Sequence, residues 1–346
     1  MRNSLVIFAL IIAFICFSFF IESCRKRDAL TNTTPVEFVV PPGFPQPQYD
    51  FSANPLNKET IELGRNLFYD GRLSKDGHFD CGSCHQQVAA FTTFEHDRSH
   101  GYNNSHTLRN APGLFNIAWL KEYGQDGRSK TLEAVFLKHL TDQNEMAETV
   151  NGVINKLRND SKYKRLFRDA YGEERITGDR IFIALKQFVL TLVSADSKYD
   201  KMKRGEYVYD PSEENGYQIF QAKCATCHTE PLFTDLSYRN IGLPMDPQLN
   251  DFGRMRVTNS RNDSLKFRVP TLRNVYATSY YTHDGRYSTI THILNHYRSG
   301  VVQSPTLDPL LQNGISLTTG EMNDLFNFLR TLTDTAFINN PAYSIP

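Results

Sequence analysis

Thiols are scarce in this chain and almost all are committed. Of six cysteines in 346 residues, Cys16 lies inside an apolar leader, where it is most simply a small hydrophobe. With the leader set aside, only Cys24 and four cysteines in two short runs remain, so no spare pair is left for a disulfide framework. An excess of one charge is lacking too: 38 Lys and Arg balance 38 Asp and Glu. No basic block is long enough to follow a phosphate backbone, which argues against nucleic acid as a partner. Strand signals are weak throughout, and there is a single tryptophan, Trp119.

What is present centres on two Cys-x-x-Cys-His runs, Cys81 to His85 and Cys224 to His228. In such a run two thiols form thioethers to haem vinyl groups while the adjoining imidazole, His85 or His228, reaches back to ligate the iron. Zinc is the bland alternative, but it needs four ligands and a lone Cys-x-x-Cys unit supplies two. A redox or structural disulfide is the other, and it has no use for a histidine abutting the second cysteine in both runs. Two runs therefore predict two covalent haems c.

The compartment agrees. Residues 1–23 open with Arg2, continue apolar from Leu5 to Ile21 broken only by Ser18, and close on Glu22-Ser23, a pattern expected of a bacterial export signal and excluded from fold reasoning. Ser23-Cys24 resembles a lipoprotein cleavage site, which would lipidate Cys24 and anchor the protein to a membrane on the periplasmic side. An uncleaved anchor and a signal cut elsewhere are the rival readings, because Glu22 stands where a small or apolar residue is usual.

Residues 24–50 are expected as a tether, since the stretch from Thr31 to Pro47 is rich in Thr and Pro and has no helical period. The rest is long enough for two domains, 51–205 and 206–346, each built round one haem, with a seam in the polar run from Lys203 to Asn215. Helical periods are predicted from a cap at Asn57 through Phe68, over Asp179 to Ser194, and over Thr319 to Leu332. Between them Gly, Pro, Asn and Asp abound, as expected where loops wrap a large flat cofactor. The fold class is mainly α.

Two haems serve either plain electron transfer or catalysis, and the second axial ligands decide, because a catalytic iron needs one position that can open. His96, His100 and His106 follow the first run in one loop-like stretch; each alone is most simply solvated, yet any could reach the far face of the iron. Glu145 follows the apolar segment from Leu132 to Leu140. A carboxylate there could accept and donate a proton, although a surface role is the commoner fate of a glutamate.

At this point the residues carry a resemblance covering nearly all of the chain after the tether. Leu63 to Asp70, Arg72-Leu73-Ser74, the first haem run, Ala90-Phe91-Thr92, Ser99-His100-Gly101, Arg109 to Pro112, Asp126-Gly127-Arg128 and Glu145-Met146 resemble, in order, the blocks of bacterial di-haem cytochrome c peroxidases. Val269 to Asn274, His283-Asp284-Gly285 and His296 to Gly300 are similar to the family's later blocks. The resemblance implies a peroxidatic haem in the N-terminal domain, with His85 proximal and His100 a distal ligand that departs on activation. It further implies Glu145 as the acid-base group, Arg109 as a residue shaping the pocket, and a C-terminal electron-transfer haem on His228. A calcium ion between the haems would take Asn110, Thr278 and the carbonyl of Tyr280, hard oxygen ligands that suit it. The implied reaction reduces hydrogen peroxide with electrons from a small periplasmic cytochrome c or cupredoxin, and a homodimer is compatible with it.

Three positions depart from the family pattern. Gln125 stands where a tryptophan lies between the haems, and Trp119, six residues earlier, reads as core. Val135 replaces a glutamine of the distal pocket. Tyr297 falls where the best-known peroxidases place a methionine ligand on the second iron, and it resembles the MauG-type enzymes that oxidise protein-borne tryptophan. His296, Met245 and Met255 are weaker ligand candidates. Two alternatives to peroxide reduction therefore stay open: a MauG-like oxidase acting on a partner protein or organic substrate, and a non-catalytic electron-transfer cytochrome.

Overall fold

In the computed structural model, which describes residues 33–346, two helix pairs cross at a glycine. Lys58–Phe68 starts at Asn57, whose side chain accepts from the Thr60 amide, and packs on Gly178–Leu190, begun by Thr177. Contact is so close that a Cβ on Gly64 would lie 2.0 Å from the Ala184 carbonyl oxygen. Pro211–Lys223 is started by a reciprocal cap between Asp210 and Glu213 and packs on Thr319–Thr331, itself capped by Thr318 and Glu321. Here a Cβ on Gly216 would lie 2.0 Å from the Asp324 carbonyl oxygen. The same solution is thus used twice, once beside each Cys-x-x-Cys-His run.

Each pair carries its own apolar core. Leu63, Leu67, Phe68, Ala184, Leu185 and Phe188 belong to the N-terminal one, and Phe220, Leu325, Phe328 and Leu329 to the C-terminal one. Helices Val150–Leu157 and Ser161–Tyr171 complete the first domain; the latter buries Tyr163, Leu166, Phe167 and Ala170 at helical spacing. Among the described residues the only sheet is the two-residue antiparallel pairing of Tyr238–Arg239 with Phe267–Arg268, in keeping with the weak strand signals. Backbone at Gly216 cannot yield, so Gly216→Ala must push two helices apart. Overpacking of this kind costs about 1–3 kcal/mol, and the expected result is a clearly lowered melting temperature of the intact protein. An unchanged melt would mean that the helices are not in this contact.

Two segments depart from the sequence expectation. The export signal and Cys24 lie outside the described residues, but the later part of the expected tether is described and is docked. The Val36 amide donates to the Leu56 carbonyl and the Lys58 amide to that of Thr34, both at 2.9 Å, while Phe38, Phe44, Tyr49 and Phe51 pack on the N-terminal core. Composition missed this because the tether's three aromatics, Phe38, Phe44 and Tyr49, are diluted among Thr and Pro. Trp119 is their platform: it is buried, sits 5.2 Å from the Phe44 ring, and donates its indole N–H to the Pro45 carbonyl at 2.7 Å. It is core, as its satisfied indole shows. The chain's end likewise leaves its own domain: Phe337 is buried in the N-terminal cluster, and the Tyr69 hydroxyl donates to the Tyr343 carbonyl at 2.7 Å.

Candidate active site

One cavity of about 840 Å³ runs past both motifs and is lined by Cys81, Cys84 and His85 at one end and Cys224, Cys227 and His228 at the other. At the first end Asp80 caps the short helix Cys81–Cys84, and Gly82 leaves room for the Tyr69 ring, whose nearest atom would be 2.5 Å from a Cβ there. At the second, the motif continues straight from Pro211–Lys223. All four thiols are unpaired. Burial pushes Cys84 up to about 11 and Cys224 up to about 12, as expected of thiols set in a largely apolar pocket.

The histidines are set up as neutral ligands. His85 Nδ1 faces the Phe91 carbonyl at 2.9 Å, and His228 Nδ1 faces those of Pro270 and Phe233 at 3.1 and 3.2 Å. Carbonyls only accept, so Nδ1 carries the proton in both rings and Nε2 keeps its lone pair. Burial lowers the His85 imidazole to about 4 and lowers His228 as well, which keeps both uncharged. Buried thiols, a largely apolar cavity and an imidazole oriented from behind fit a haem c at each motif.

Beyond the first motif the cavity wall includes His100, Glu145, His139 and Val135. Glu145 sits on the turn that ends the helix Leu132–Thr141. Gly101 allows the His100 loop to lie against that turn, since a Cβ there would be 2.1 Å from the Asn144 carbonyl oxygen, and the Tyr102 amide donates to the Glu145 carbonyl at 2.7 Å. The three loop histidines cluster, His100 lying 5.3 Å from His96 and 4.4 Å from His106 between ring centroids, but of them only His100 lines the cavity. His139, which the sequence reading passed over, pairs through Nδ1 with the Glu145 carboxylate. Its signal was available: a histidine on the last turn of a helix, six residues before the glutamate.

Arg109 also lines the cavity, but all its guanidinium nitrogens are engaged. Nε and NH2 donate to Asp251 at 2.6 and 2.9 Å, and NH1 pairs with Asp126 at 2.9 Å. Burial alone would raise the Asp251 carboxyl, and the Arg109 hydrogen bonds more than offset this and hold it low. Arg109 therefore ties the two halves together and orders the space between the motifs. Its face lies 5.1 Å from the Phe267 ring, which stacks on His283 at 3.8 Å and 14°.

Gln125 is beside this stack. Its Nε2 donates to the Asn110 carbonyl at 3.1 Å, its carbonyl accepts from the Arg268 amide at 2.7 Å, and the Asn110 amide donates to the His283 carbonyl at 2.9 Å. Gln125 Oε1 is buried without a partner among the described residues, an acceptor that a bound ion or water would satisfy. Asn110, Thr278 and Tyr280 line the same cavity, with Tyr280 in the left-handed backbone region.

At the second motif Tyr297 faces the cavity from a π-helical turn, His296–Gly300, that ends the helix begun at Ile290; such turns recur at functional sites. Burial pushes its phenol well above the usual range. His296 is excluded as a ligand in this arrangement, because Nε2 donates to the Ile241 carbonyl at 2.8 Å and Nδ1 faces the Tyr287 hydroxyl at 3.3 Å. Met255 is not part of the cavity wall, whereas Met245 is.

Comparison with known proteins now decides the family. The model of the di-haem cytochrome c peroxidase family matches residues 58–208, and a cytochrome c model matches 213–333. The methylamine utilization protein MauG of Methylorubrum extorquens is 32% identical over 84% of this chain and 82% of its own length. The chain belongs to the di-haem cytochrome c peroxidase family. Cytochrome c551 peroxidase of Nitrosomonas europaea is 31% identical over 85% of each chain. The crystal structure of a MauG-like protein associated with microbial copper homeostasis superposes with a TM-score of 0.81 at 30% identity, covering 90% of this chain and 99% of that one. Two cytochrome-c-like domains and two haems c are thus family properties that the residues here are built to meet.

Within this family Tyr297 has a direct test. If Tyr297 binds the second iron, Tyr297→Phe is expected to change the ferric spectrum of that haem alone, and Tyr297→Met to raise its potential, because a soft thioether favours ferrous iron over an anionic oxygen's preference for ferric. A Phe variant with both haem spectra unchanged would make Tyr297 a packing residue and leave Met245 as the candidate.

Proposed function

We propose that this protein is a di-haem peroxidase that reduces hydrogen peroxide to water, with electrons from a small donor protein, a cytochrome c or a cupredoxin. The observation that carries the reading is that the His100 loop and the Glu145 turn meet on the wall of the cavity at its N-terminal end, beside a motif whose His85 is held neutral. A plain electron-transfer cytochrome has no need of a carboxylate there. Bound haem would supply the redox-active iron at each motif. The chain's own part is to hold His85 and His228 as neutral ligands, to offer His100 as a distal ligand that can leave, and to place Glu145 where it takes a proton from one peroxide oxygen and returns it to the other.

Arg109, with its nitrogens tied to Asp126 and Asp251, orients the loops between the two sites. A calcium ion would be held there by Asn110, Thr278 and the Tyr280 carbonyl, near the unpartnered Gln125 Oε1; neutral oxygens of this kind suit calcium. The leader would export the chain to the periplasm and Cys24 would carry the lipid. Among the described residues no helix is long and apolar enough to cross a membrane.

The deciding experiment follows peroxide consumption by the purified di-haem protein, fully oxidised and half-reduced, with a reduced cytochrome c and a reduced cupredoxin as donors. Turnover on half-reduction supports the reading, and none under any condition would leave an electron-transfer role. Tyr297 on the second cavity wall favours one further reading, a MauG-like oxidation of a partner protein or organic substrate. It gains if peroxide instead leaves a long-lived oxidised form that decays on the partner rather than on the donor. Gln125 also affects the rate between the sites. Its amide cannot carry a hole as an indole does, so Gln125→Trp is expected to speed equilibration between the haems in stopped-flow mixing with peroxide. No acceleration would mean that another path, such as the Phe267–His283 stack, already carries the electron.

A further inference from the structure

Glu145 alone does not balance the protons of peroxide reduction. The reaction breaks the O–O bond and takes up two electrons, supplied by the donor, and two protons to give two waters. Glu145 can move the proton of the near oxygen to the far one, which leaves as the first water. That transfer returns the carboxylate to its starting state and adds no proton. The oxygen left behind still needs two protons from outside the cavity.

Glu145 is poorly placed to collect them, because 20% of its side chain is exposed, whereas its partner His139 keeps 49% exposed. His139 meets the carboxylate through Nδ1 and also lines the cavity, so the more exposed ring of the pair joins the cavity to the acid-base group. The pair is not needed to hold the turn. The Glu145 amide already donates to the Asp142 carbonyl at 3.1 Å, the Met146 amide to the His139 carbonyl at 3.4 Å, and the Glu148 amide to the Leu140 carbonyl at 2.8 Å. The ion pair at this helix end, Lys138 with Asp142, is made between those two side chains alone.

We infer that His139 is the proton-relay residue of the N-terminal site, carrying protons from solvent to Glu145, on which it acts rather than on peroxide itself. This rests on the peroxidase reading. Each transfer is balanced: the ring takes a proton at Nε2 from hydronium or a buffer acid, Nδ1–H gives one to Glu145 Oε2, Glu145 passes it to the oxygen, and a ring flip or exchange through water restores the Nδ1–H form before the second proton. Imidazole suits the task because its two nitrogens exchange roles near neutral pH.

The test uses the intact di-haem protein with His139→Gln and His139→Ala, both checked for unchanged haem content and spectra. Removing the relay is expected to lower kcat several-fold at unchanged KM, to enlarge the solvent deuterium isotope effect on kcat, and to leave single-turnover cleavage of peroxide nearly as fast. A methylated imidazole too hindered to ligate iron should restore kcat in His139→Ala. Independently of turnover, the infrared carboxylate band of Glu145 should shift in His139→Gln. An active wild type whose His139→Ala variant keeps full kcat, or loses it without rescue, overturns the relay alone. An unshifted carboxylate band overturns the pairing on which the relay stands. A wild type that turns over no peroxide removes the peroxidase reading and the relay with it.

Discussion

Glu145→Gln is expected to lower peroxide turnover by on the order of 100-fold or more, within the range that one general acid-base group contributes. The substitution keeps the side chain's shape and removes its ability to take a proton. It should not disturb the fold, because the Asp142–Glu148 turn is held by backbone hydrogen bonds and by the Tyr102 amide, which donates to the Glu145 carbonyl and not to its carboxylate. Haem content and both absorption spectra should therefore match the wild type. Steady-state assays give the turnover, and stopped-flow mixing of the half-reduced variant with peroxide locates the lost step: O–O cleavage itself should slow, whereas in the His139 variants it should not. Unchanged turnover in the Gln variant would move the proton work to another group on the cavity wall, with His100 and His139 the first to test.

How much of this site could be read from the chain depended on whether the signal was local. The haem attachment residues are contiguous, so Cys81 to His85 and Cys224 to His228 were legible without any structure. One helix start was legible for the same reason: the cap at Asn57 lies three residues from the Thr60 amide it satisfies. Val150–Leu157 and Ser161–Tyr171 were passed over, although Tyr163, Leu166, Phe167 and Ala170 carry the helical period. Long-range partners were hidden. Arg109 was read as a pocket residue, and only the fold reveals that Asp126 and Asp251, the latter 142 positions away, occupy its guanidinium. Likewise the docking of Phe38 and Phe44 on Trp119 joins segments whose compositions gave opposite messages. His139 is the instructive omission. Its partner is only six residues distant, a local signal that was overlooked because a histidine on a mixed apolar helix reads as ordinary.

Replacing Cys224 and Cys227 together by Ala should remove one of two covalent haems and destabilise the C-terminal domain. The reason lies in the shape of the cores. Phe220, Leu325 and Leu329 belong to the C-terminal cluster and also line the cavity, so the haem face would complete their packing. With that haem absent these side chains would face an open cavity, so thioether loss is expected to be a folding defect as much as a redox one. Acidified-acetone extraction should leave one haem on the variant, held at Cys81 and Cys84, and calorimetry should show an early transition absent from the wild type. The Cys81→Ala, Cys84→Ala protein should lose the other haem, and with it all response to peroxide. Its C-terminal haem should keep its ferric spectrum, because Tyr297 and His228 belong to the other end of the cavity. If either double variant retained two covalent haems, the attachment sites would have to be sought elsewhere. If either melted like the wild type, the haem would not be part of the core.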